Sequence, residues 1–395
     1  MSKHVILGIT GGIAAYKSCE LVRLLKKQGH RITVAMSRAA AEFVSPLTFQ
    51  ALSGNPVITE THGNAEQNGM AHINLTRQAD AFLIAPATAN TIAKIANGIA
   101  DNLITNLAAA RKCPMAVAPA MNVEMWHNPA NQRNIARLAS DGIAVFQPDS
   151  GEQACGENGL GRMPEAAALA DLLRDLWTPK TLNGKKILIT LGATFEPIDP
   201  VRGITNLSSG QMGVAIAQAC RAAGATVSII HGQVQAALPA GMRETVRATG
   251  AEAMYREVMC RAAAHDVFIS VAAVADYKVK NTSSHKIKKD GSGRPPVIEL
   301  EENPDILAAA AALPRPPFCV GFAAESRNII EYARAKRLKK NIPLIIANDV
   351  AVAMGTAGNQ ITLIDDNGET SLPPCGKAEA AEAIVSHIAS VLPDG

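Results

Sequence analysis

Two Gly-rich turns carry the residues best suited to chemistry. HVILGITGGIAAYK at 4–17 is one; KKILITLGAT at 185–194, continuing to TNLSSGQMG at 205–213, is the other. Each places glycines and hydroxyls after an apolar, β-branched run and before an Ala-rich helical stretch. That arrangement aims free backbone N–H groups and a helix dipole at a phosphate. Two such turns point to two phosphate-bearing ligands and two chemistries; the plainer alternative is a pair of tight βα turns. GITGGIAA lacks the G-x-G-x-x-G spacing, and the second strand ends in Met36-Ser37-Arg38, without the acid an NAD ribose needs. The first turn therefore suits a mononucleotide, with FMN the fitting candidate.

Further groups follow in order. His72 lies in GMAHINL, just before a helix or strand, where a lone histidine is more often structural than catalytic. APATANT at 85–91 offers Thr88, Asn90 and Thr91 at a strand's carboxyl end, and APAMNVEMW at 118–126 offers Met121 and Asn122. A lone Asn there is usually a helix cap, but two Ala-Pro turns at neighbouring strand ends ask for a ligand. GEQACGENGLGRM at 151–163 sets Cys155 among glycines, in a mobile loop, whereas Cys220 and Cys319 lie in apolar runs. A thiol in such a loop is a candidate reactive group. Farther on, Lys336 and Lys340 fall at i and i+4 of IIEYARAKRLKKN, either a solvated basic face or a phosphate clamp. Asn303 and Pro304 of ENPDI read as an N-cap and first helical position.

These residues need elements to hold them. HVILGIT, RITVAMS, AFLIAPAT, PMAVAPAM and IAVFQP alternate with helical patterns, the first helix running from Ile13 to near Gly29. After WTPKTLNG at 177–184 the alternation restarts with ILIT, a helix ending at Gly224, and ATVSII, VFISVAAV, FCVGFAA and PLIIAND. Strand alternating with helix implies parallel sheets covered on both faces, with ligands at the carboxyl ends of the strands. ITLIDDNGETSLP reads as a hairpin turning at Asp366-Asn367-Gly368, and the polar, basic stretch 280–296 as a mobile flap.

Composition agrees. The 395 residues suffice for two domains with full cores, and 48% hydrophobic against 18% charged residues excludes disorder. A net charge of +3 does not point to nucleic acid, and the basic stretches at 278–296 and 334–340 lack interleaved aromatics. Seven scattered cysteines without a C-x-x-C pair argue against disulfides or zinc and for a reducing compartment. No signal peptide is visible and no apolar run is long enough to span a bilayer, so a cytoplasmic location is expected.

GGIAAYK, the histidine of AHINL, APATAN, PAMNxxMW and ACGxxGxGRM, occurring in order, resemble the flavin-containing cysteine decarboxylases. GATxExIDPVRxITNxSSGxMG, AVADY, KIKK, ENPDI, VGFAAE and KRLKKN resemble phosphopantothenate–cysteine ligase. In series the chain resembles the bifunctional enzymes of coenzyme A biosynthesis over nearly its whole length. The resemblance implies two doubly wound, Rossmann-like α/β domains. A flavodoxin-like, FMN-dependent decarboxylase domain would cover 1–180, and a CTP-dependent ligase domain 184–395.

It also implies roles. Gly11, Gly12, Ile13 and Ser37 would hold the FMN phosphate, and Thr88 and Asn90 would lie by the flavin. Met121 and Asn122 would bind substrate, Asn122 through the substrate's carboxylate. His72 would assist oxidative decarboxylation and Cys155 would give the proton in the final reduction. Glu157 departs from the family's ACGD pattern, which has Asp there. Ala272, Asp276, Lys286, Asn303, Pro304, Asp305, Ile306, Phe322, Lys336 and Lys340 would bind CTP, with Mg2+ bridging its phosphates and no metal ligand assigned. Lys286 would serve formation of an acyl-cytidylate and Asn206 its transfer to cysteine. Small-molecule substrates are expected (4'-phosphopantothenate, cysteine and CTP), with no nucleic acid and no membrane. A homo-oligomer is implied, combining three-fold and two-fold contacts in an assembly such as a dodecamer. A flavin-binding regulatory module without full turnover is the alternative, and the presence of His72 and Cys155 argues against it.

Overall fold

The structure is a computed structural model and describes residues 2–60, 71–288, 295–325, 328–349 and 361–393. The chain divides into two compact units, Met1–Thr178 and Pro179–Gly395. The boundary falls inside the stretch read as a linker, but Leu182 is already buried in the core of the second unit.

The first unit is built on six parallel strands: β1 (His4–Ile9), β2 (Arg31–Met36), β3 (Ile58–Thr59), β4 (Ala81–Ala87), β5 (Met115–Pro119) and β6 (Ala144–Val145). Their order is β3-β2-β1-β4-β5-β6. Every residue of β1 and β4 is buried, which is why both read as unbroken apolar runs rather than alternating ones. The helix Lys17–Lys27 buries Ser18, Leu21, Val22 and Leu25, one stripe at helical spacing, and Gly29 follows its end at φ 85°. Succession reverses between β1 and β4, so the crevice of a doubly wound sheet opens at the carboxyl ends of these two strands.

Beyond β6, the stretch expected as a Gly loop forms an antiparallel hairpin, β7 (Asp149–Glu152) and β8 (Asn158–Arg162), with Cys155 in its turn. Its backbone bonds explain the ordering: Gln153 N donates to Glu157 O at 2.7 Å and Gly156 N to Gln153 O at 2.9 Å. Met121 N donates to Gly161 O at 3.0 Å. Gly161 sits at φ 141°, and a Cβ there would run into the Met121 carbonyl, so glycine alone lets the hairpin lie this close.

The second unit holds β9 (Lys186–Leu191), β12 (Thr226–His231), β13 (Glu244–Arg247), β14 (Val267–Ser270), β17 (Phe318–Glu325), β18 (Leu344–Asp349), β19 (Ile361–Asp365) and β20 (Gly368–Ser371). Small hairpins β10 (Phe195–Pro197)–β11 (Gly203–Thr205) and β15 (Tyr277–Val279)–β16 (Leu300–Glu302) stand apart from this sheet. Its order is β13-β12-β9-β14-β17-β18-β19-β20, parallel as far as β18 and antiparallel beyond. The β19–β20 hairpin pairs Asp365 with Gly368, so its turn is Asp366-Asn367, one residue tighter than read from the sequence. No helix among the described residues is long and apolar enough to cross a membrane, and all seven cysteines are free.

The helix Gln211–Ala222 packs against β9 through Gly213, where a Cβ would collide with Leu191 Cβ. Alanine would gain roughly 1 kcal/mol of helix propensity. Overpacking costs about 1–3 kcal/mol, and backbone-linked atoms on both sides have nowhere to move. Gly213→Ala is therefore expected to destabilise the second unit, read as an earlier midpoint in urea; a midpoint equal to or later than the parent would contradict this.

Candidate functional sites at two sheet edges

The crevice of the first unit is tied together by Thr10, just past β1. Its Oγ1 donates to Pro86 O at 2.7 Å and accepts from Thr88 N at 3.0 Å, joining the ends of β1 and β4. Ser18 Oγ donates to Ala85 O at 2.7 Å from the facing helix. Between these anchors the chain turns through Gly11 and Gly12 into the short 3-10 segment Ile13–Tyr16. Among the described residues no acceptor takes the N–H groups of Gly11, Gly12, Ile13 or Ala14, while Ala15 N already donates to Gly12 O. Four open amides at a helix start form an anion cradle. Ser37 follows β2, its N donating to Ile9 O at 3.0 Å and its Oγ accepting from Ala40 N at 3.2 Å. Thr88 caps the helix Ala89–Ala96, and Asn90 is exposed in that helix's first turn.

A cavity of about 630 Å3 opens beside the cradle. Gly12, Ile13, Met121, Asn122 and Cys155 all line it, residues separated by up to 143 positions in sequence. Gly11, Ser37, Thr88 and Asn90 sit at the neighbouring strand ends, outside its lining. His72 falls in the first turn of the helix Ala71–Gln78, which precedes β4; its side chain lies outside the described residues. Asn122 N-caps the helix Val123–His127 through Oδ1, which accepts from Glu124 N at 2.8 Å, and so turns its amide Nδ2 toward Cys155 Sγ at 3.4 Å. Cys155 is exposed, whereas burial pushes the Cys220 and Cys319 thiols up to about 12. Cys155 is thus the thiol of the three that is open to a ligand in this cavity.

Sequence reasoning passed over Gln153 and Lys17. Gln153 Oε1 accepts from Val123 N at 2.9 Å, tying the hairpin turn to the Asn122 turn. Lys17 lines the same cavity and donates to Met163 O at 3.1 Å and Glu165 Oε1 at 2.6 Å. Both fall inside motifs already singled out, GGIAAYK and GEQACG, but neither type announces a role alone.

In the second unit a cavity of about 400 Å3 lies at the carboxyl ends of β14 and β17. Ala272, Asp276, Asn303, Pro304, Asp305, Ile306, Phe322, Lys336 and Lys340 line it, with Lys339 a further cation that sequence reading missed. The helix here is Ile306–Ala311 and its N-cap is Asp305, accepting from Ala308 N at 3.0 Å, not Asn303 as expected. Asn303 instead bridges to the β14 edge, its Nδ2 donating to Ala275 O at 2.9 Å and its N to Asp276 O at 2.8 Å. Its Oδ1 is buried with no partner among the described residues, an acceptor awaiting a donor.

Lys340 Nζ reaches both Asp305 oxygens, at 2.6 and 2.5 Å, and Lys336 Nζ donates to Phe322 O at 3.1 Å. Burial pushes the Asp305 carboxyl up, but the Lys340 ammonium and the Ala308 N–H outweigh it and hold it below the usual range.

Asn206 and Lys286 do not line this cavity. Asn206 lies at its margin, Nδ2 donating to Ala273 O at 3.1 Å, next to Ala272. Lys286 is exposed, on the stretch read as a flap; residues 289–294 of that stretch lie outside the described residues, but 283–287 is anchored. Ser283 N donates to Ile198 O at 3.0 Å, Ile287 N to Asp199 Oδ2 at 3.2 Å, and Arg202 Nη2 to Ile287 O at 2.8 Å.

Asp199, only 2% exposed, is the hub of that anchor. It also accepts from Val201 N and Arg202 N, both at 2.9 Å, and from Arg202 Nε at 2.9 Å. The Arg202 guanidinium and these amides hold the Asp199 carboxyl well below its ordinary value of 3.8. A depressed folded value means the unfolded chain binds the proton more readily, so the contribution is complete above about pH 4 and is lost as pH falls below it. Asp199→Asn should therefore lower the denaturation midpoint at pH 7 and flatten the acid limb below pH 4. An acid limb unchanged in the variant would exclude Asp199 as the anchor's ionic hub.

Comparison with known proteins matches the two units separately and the chain as a whole. Residues 1–178 match the flavoprotein family, and residues 182–392 the family described as the DNA/pantothenate metabolism flavoprotein C-terminal domain. The coenzyme A biosynthesis bifunctional protein CoaBC of Vibrio parahaemolyticus is 47% identical over 374 residues, covering 94% of each chain. That of Escherichia coli K12 is 42% identical over 377 residues, covering 94% of this chain and 93% of its own. A crystal structure of the C-terminal domain of a CoaBC protein is 38% identical, with a TM-score of 0.47, covering 54% of this chain and 98% of that one. With two relatives aligned along nearly their full length and a matching family over each unit, the chain belongs to the family of coenzyme A biosynthesis bifunctional proteins, CoaBC.

Proposed function

We propose that the second unit, over 184–395, joins 4'-phosphopantothenate to cysteine at the expense of CTP, and that the first, over 1–180, decarboxylates the product to 4'-phosphopantetheine. The observation that carries this reading is the convergence of Asn122 and Cys155 on one cavity with the open Gly12–Ile13 turn.

The first site fits FMN. The unclaimed amides of Gly11 to Ala14 match a phosphate, with Ser37 beside them and Thr88 and Asn90 at the next strand end. Held there, FMN would supply a reversible two-electron acceptor for the substrate. The chain's own residues do the rest. Asn122 Nδ2 donates to the substrate's carboxylate, and Met121 packs beside it. His72, in the first turn of the helix Ala71–Gln78, assists decarboxylation. The Cys155 thiol protonates the substrate carbon in the final reduction.

At the second site the cations Lys336, Lys339 and Lys340 and the cap at Asp305–Ile306 suit a triphosphate. The carboxylate of 4'-phosphopantothenate attacks the α-phosphate of CTP and pyrophosphate leaves; cysteine then displaces CMP from the acyl-cytidylate. Lys286 neutralises charge in the first step, its backbone held by the Asp199 anchor, and Asn206 orients the acyl group in the second. No group of three metal-ligating side chains is found among the described residues, so Mg2+ would be held by the phosphates and water. We place the enzyme in the cytoplasm, as a homo-oligomer such as a dodecamer.

The division of labour in the first site is testable. His72→Asn should abolish CO2 release with flavin retained. Cys155→Ser should release CO2 yet stall before reduction, losing on the order of 10²-fold or more in the final step, as expected for removal of a positioned acid. Equal loss of CO2 release in both variants would refute the assignment.

A further inference from the structure

Asn122 already holds a carboxylate. Its Oδ1 is committed to Glu124 N at 2.8 Å, so Nδ2 is the end left for a ligand. Around Nδ2 stand three acceptors: Gln153 Oε1 at 3.3 Å, Cys155 Sγ at 3.4 Å and, nearest, Glu157 Oε2. An amide nitrogen carries two hydrogens, so three acceptors already exceed its supply before any substrate arrives. The same Glu157 oxygen lies 3.6 Å from Cys155 Sγ. Glu157 therefore faces both the amide assigned to the substrate's carboxylate and the thiol that protonates the product.

We propose that Glu157 is a specificity-determining residue of the decarboxylation: its carboxylate competes with the substrate's carboxylate for Asn122 Nδ2, weakening the carboxylated substrate while leaving the decarboxylated product unaffected. The inference rests on the reading of Asn122 given above. Substrate can bind only as Glu157 gives up the amide, and two like charges then face one donor. Departure of CO2 removes one of them, and Glu157 regains Asn122 without displacing the product. Like-charge opposition in the bound substrate and its relief on CO2 loss both favour the forward step. The extra methylene of Glu over Asp lengthens the reach of this carboxylate across the hairpin turn to Asn122. Backbone bonds within the turn, from Gln153 N to Glu157 O and from Gly156 N to Gln153 O, do not involve the Glu157 side chain, so the turn should survive its neutralisation.

The test uses the full-length, flavin-loaded chain, with 4'-phosphopantothenoylcysteine as substrate and 4'-phosphopantetheine as product ligand. For the parent, Glu157→Gln, Glu157→Asp and Asn122→Ala, KM and kcat for CO2 release and the product's dissociation constant are measured. Thermal melting reports whether each variant is folded. Glu157→Gln should lower KM by about two- to fivefold, the range for one exposed charge pair, and lower kcat with it, while product affinity stays unchanged. Glu157→Asp, with its shorter reach, should fall between. A purely structural role would instead raise KM or weaken substrate and product alike, and either result overturns the proposal. If Asn122→Ala removes the preference for a carboxylated ligand but Glu157→Gln leaves KM where it was, the competition alone is wrong. If Asn122→Ala leaves that preference intact, the carboxylate is held elsewhere, and both readings fall.

Discussion

Everything functional in this chain depends on one constraint: a buried parallel strand must leave its sheet at the carboxyl end through a turn whose amides have no neighbour to bond. In β1 every residue is buried, so nothing along the strand itself can meet a ligand. Ligand contacts are left to the edge, where among the described residues Gly11 to Ala14 present unclaimed N–H groups and Thr10 locks β1 to the end of β4. The second unit repeats the solution with other parts. There the edge of β14 and β17 is closed by Asn303 bonding back to Ala275, and charge is supplied by lysines of the helix Ile329–Lys340.

Both edges are completed by segments outside the sheets. A hairpin carries Cys155 to Asn122 in the first unit, and Asp199 pins the stretch carrying Lys286 in the second. In each case a polar side chain fixed by several short-range bonds does the positioning: Gln153 between two turns, and Asp199 between its own loop and residue 287. Such attachments let a loop carry a reactive group without a large apolar interface, because hydrogen bonds to a buried or charged acceptor are directional and costly to leave unmade.

The sheets were legible in the sequence because both-face burial leaves β1, β4, β9 and β14 as predominantly apolar runs between helical stripes. The convergence of Gly12, Ile13, Met121, Asn122 and Cys155 was legible only as an ordered set of motifs, since their approach is set by tertiary geometry. What escaped shows the limit. The hairpin around Cys155 has almost no apolar pattern, being held by backbone bonds and by glycines such as Gly161 that admit close approach. The N-cap moved from Asn303 to Asp305 because both types cap helices and only the packed structure shows which side chain meets a free N–H. Asp199 looked like one more turn residue in IDPVR, and its bond to Ile287 spans 88 positions that no local pattern encodes.

The most direct measurement of the central claim, that one chain activates a carboxylate at one sheet edge and expels a carboxylate at the other, is the stoichiometry of a complete turnover. The full-length chain is given 4'-phosphopantothenate, CTP and cysteine, and CMP and CO2 are counted together. The account predicts equal amounts of CMP and CO2 with 4'-phosphopantetheine as product, and neither CMP nor CO2 when cysteine is withheld, because the reaction then stops at the acyl-cytidylate. CO2 formed without CMP, or turnover equally well supported by ATP, would contradict it.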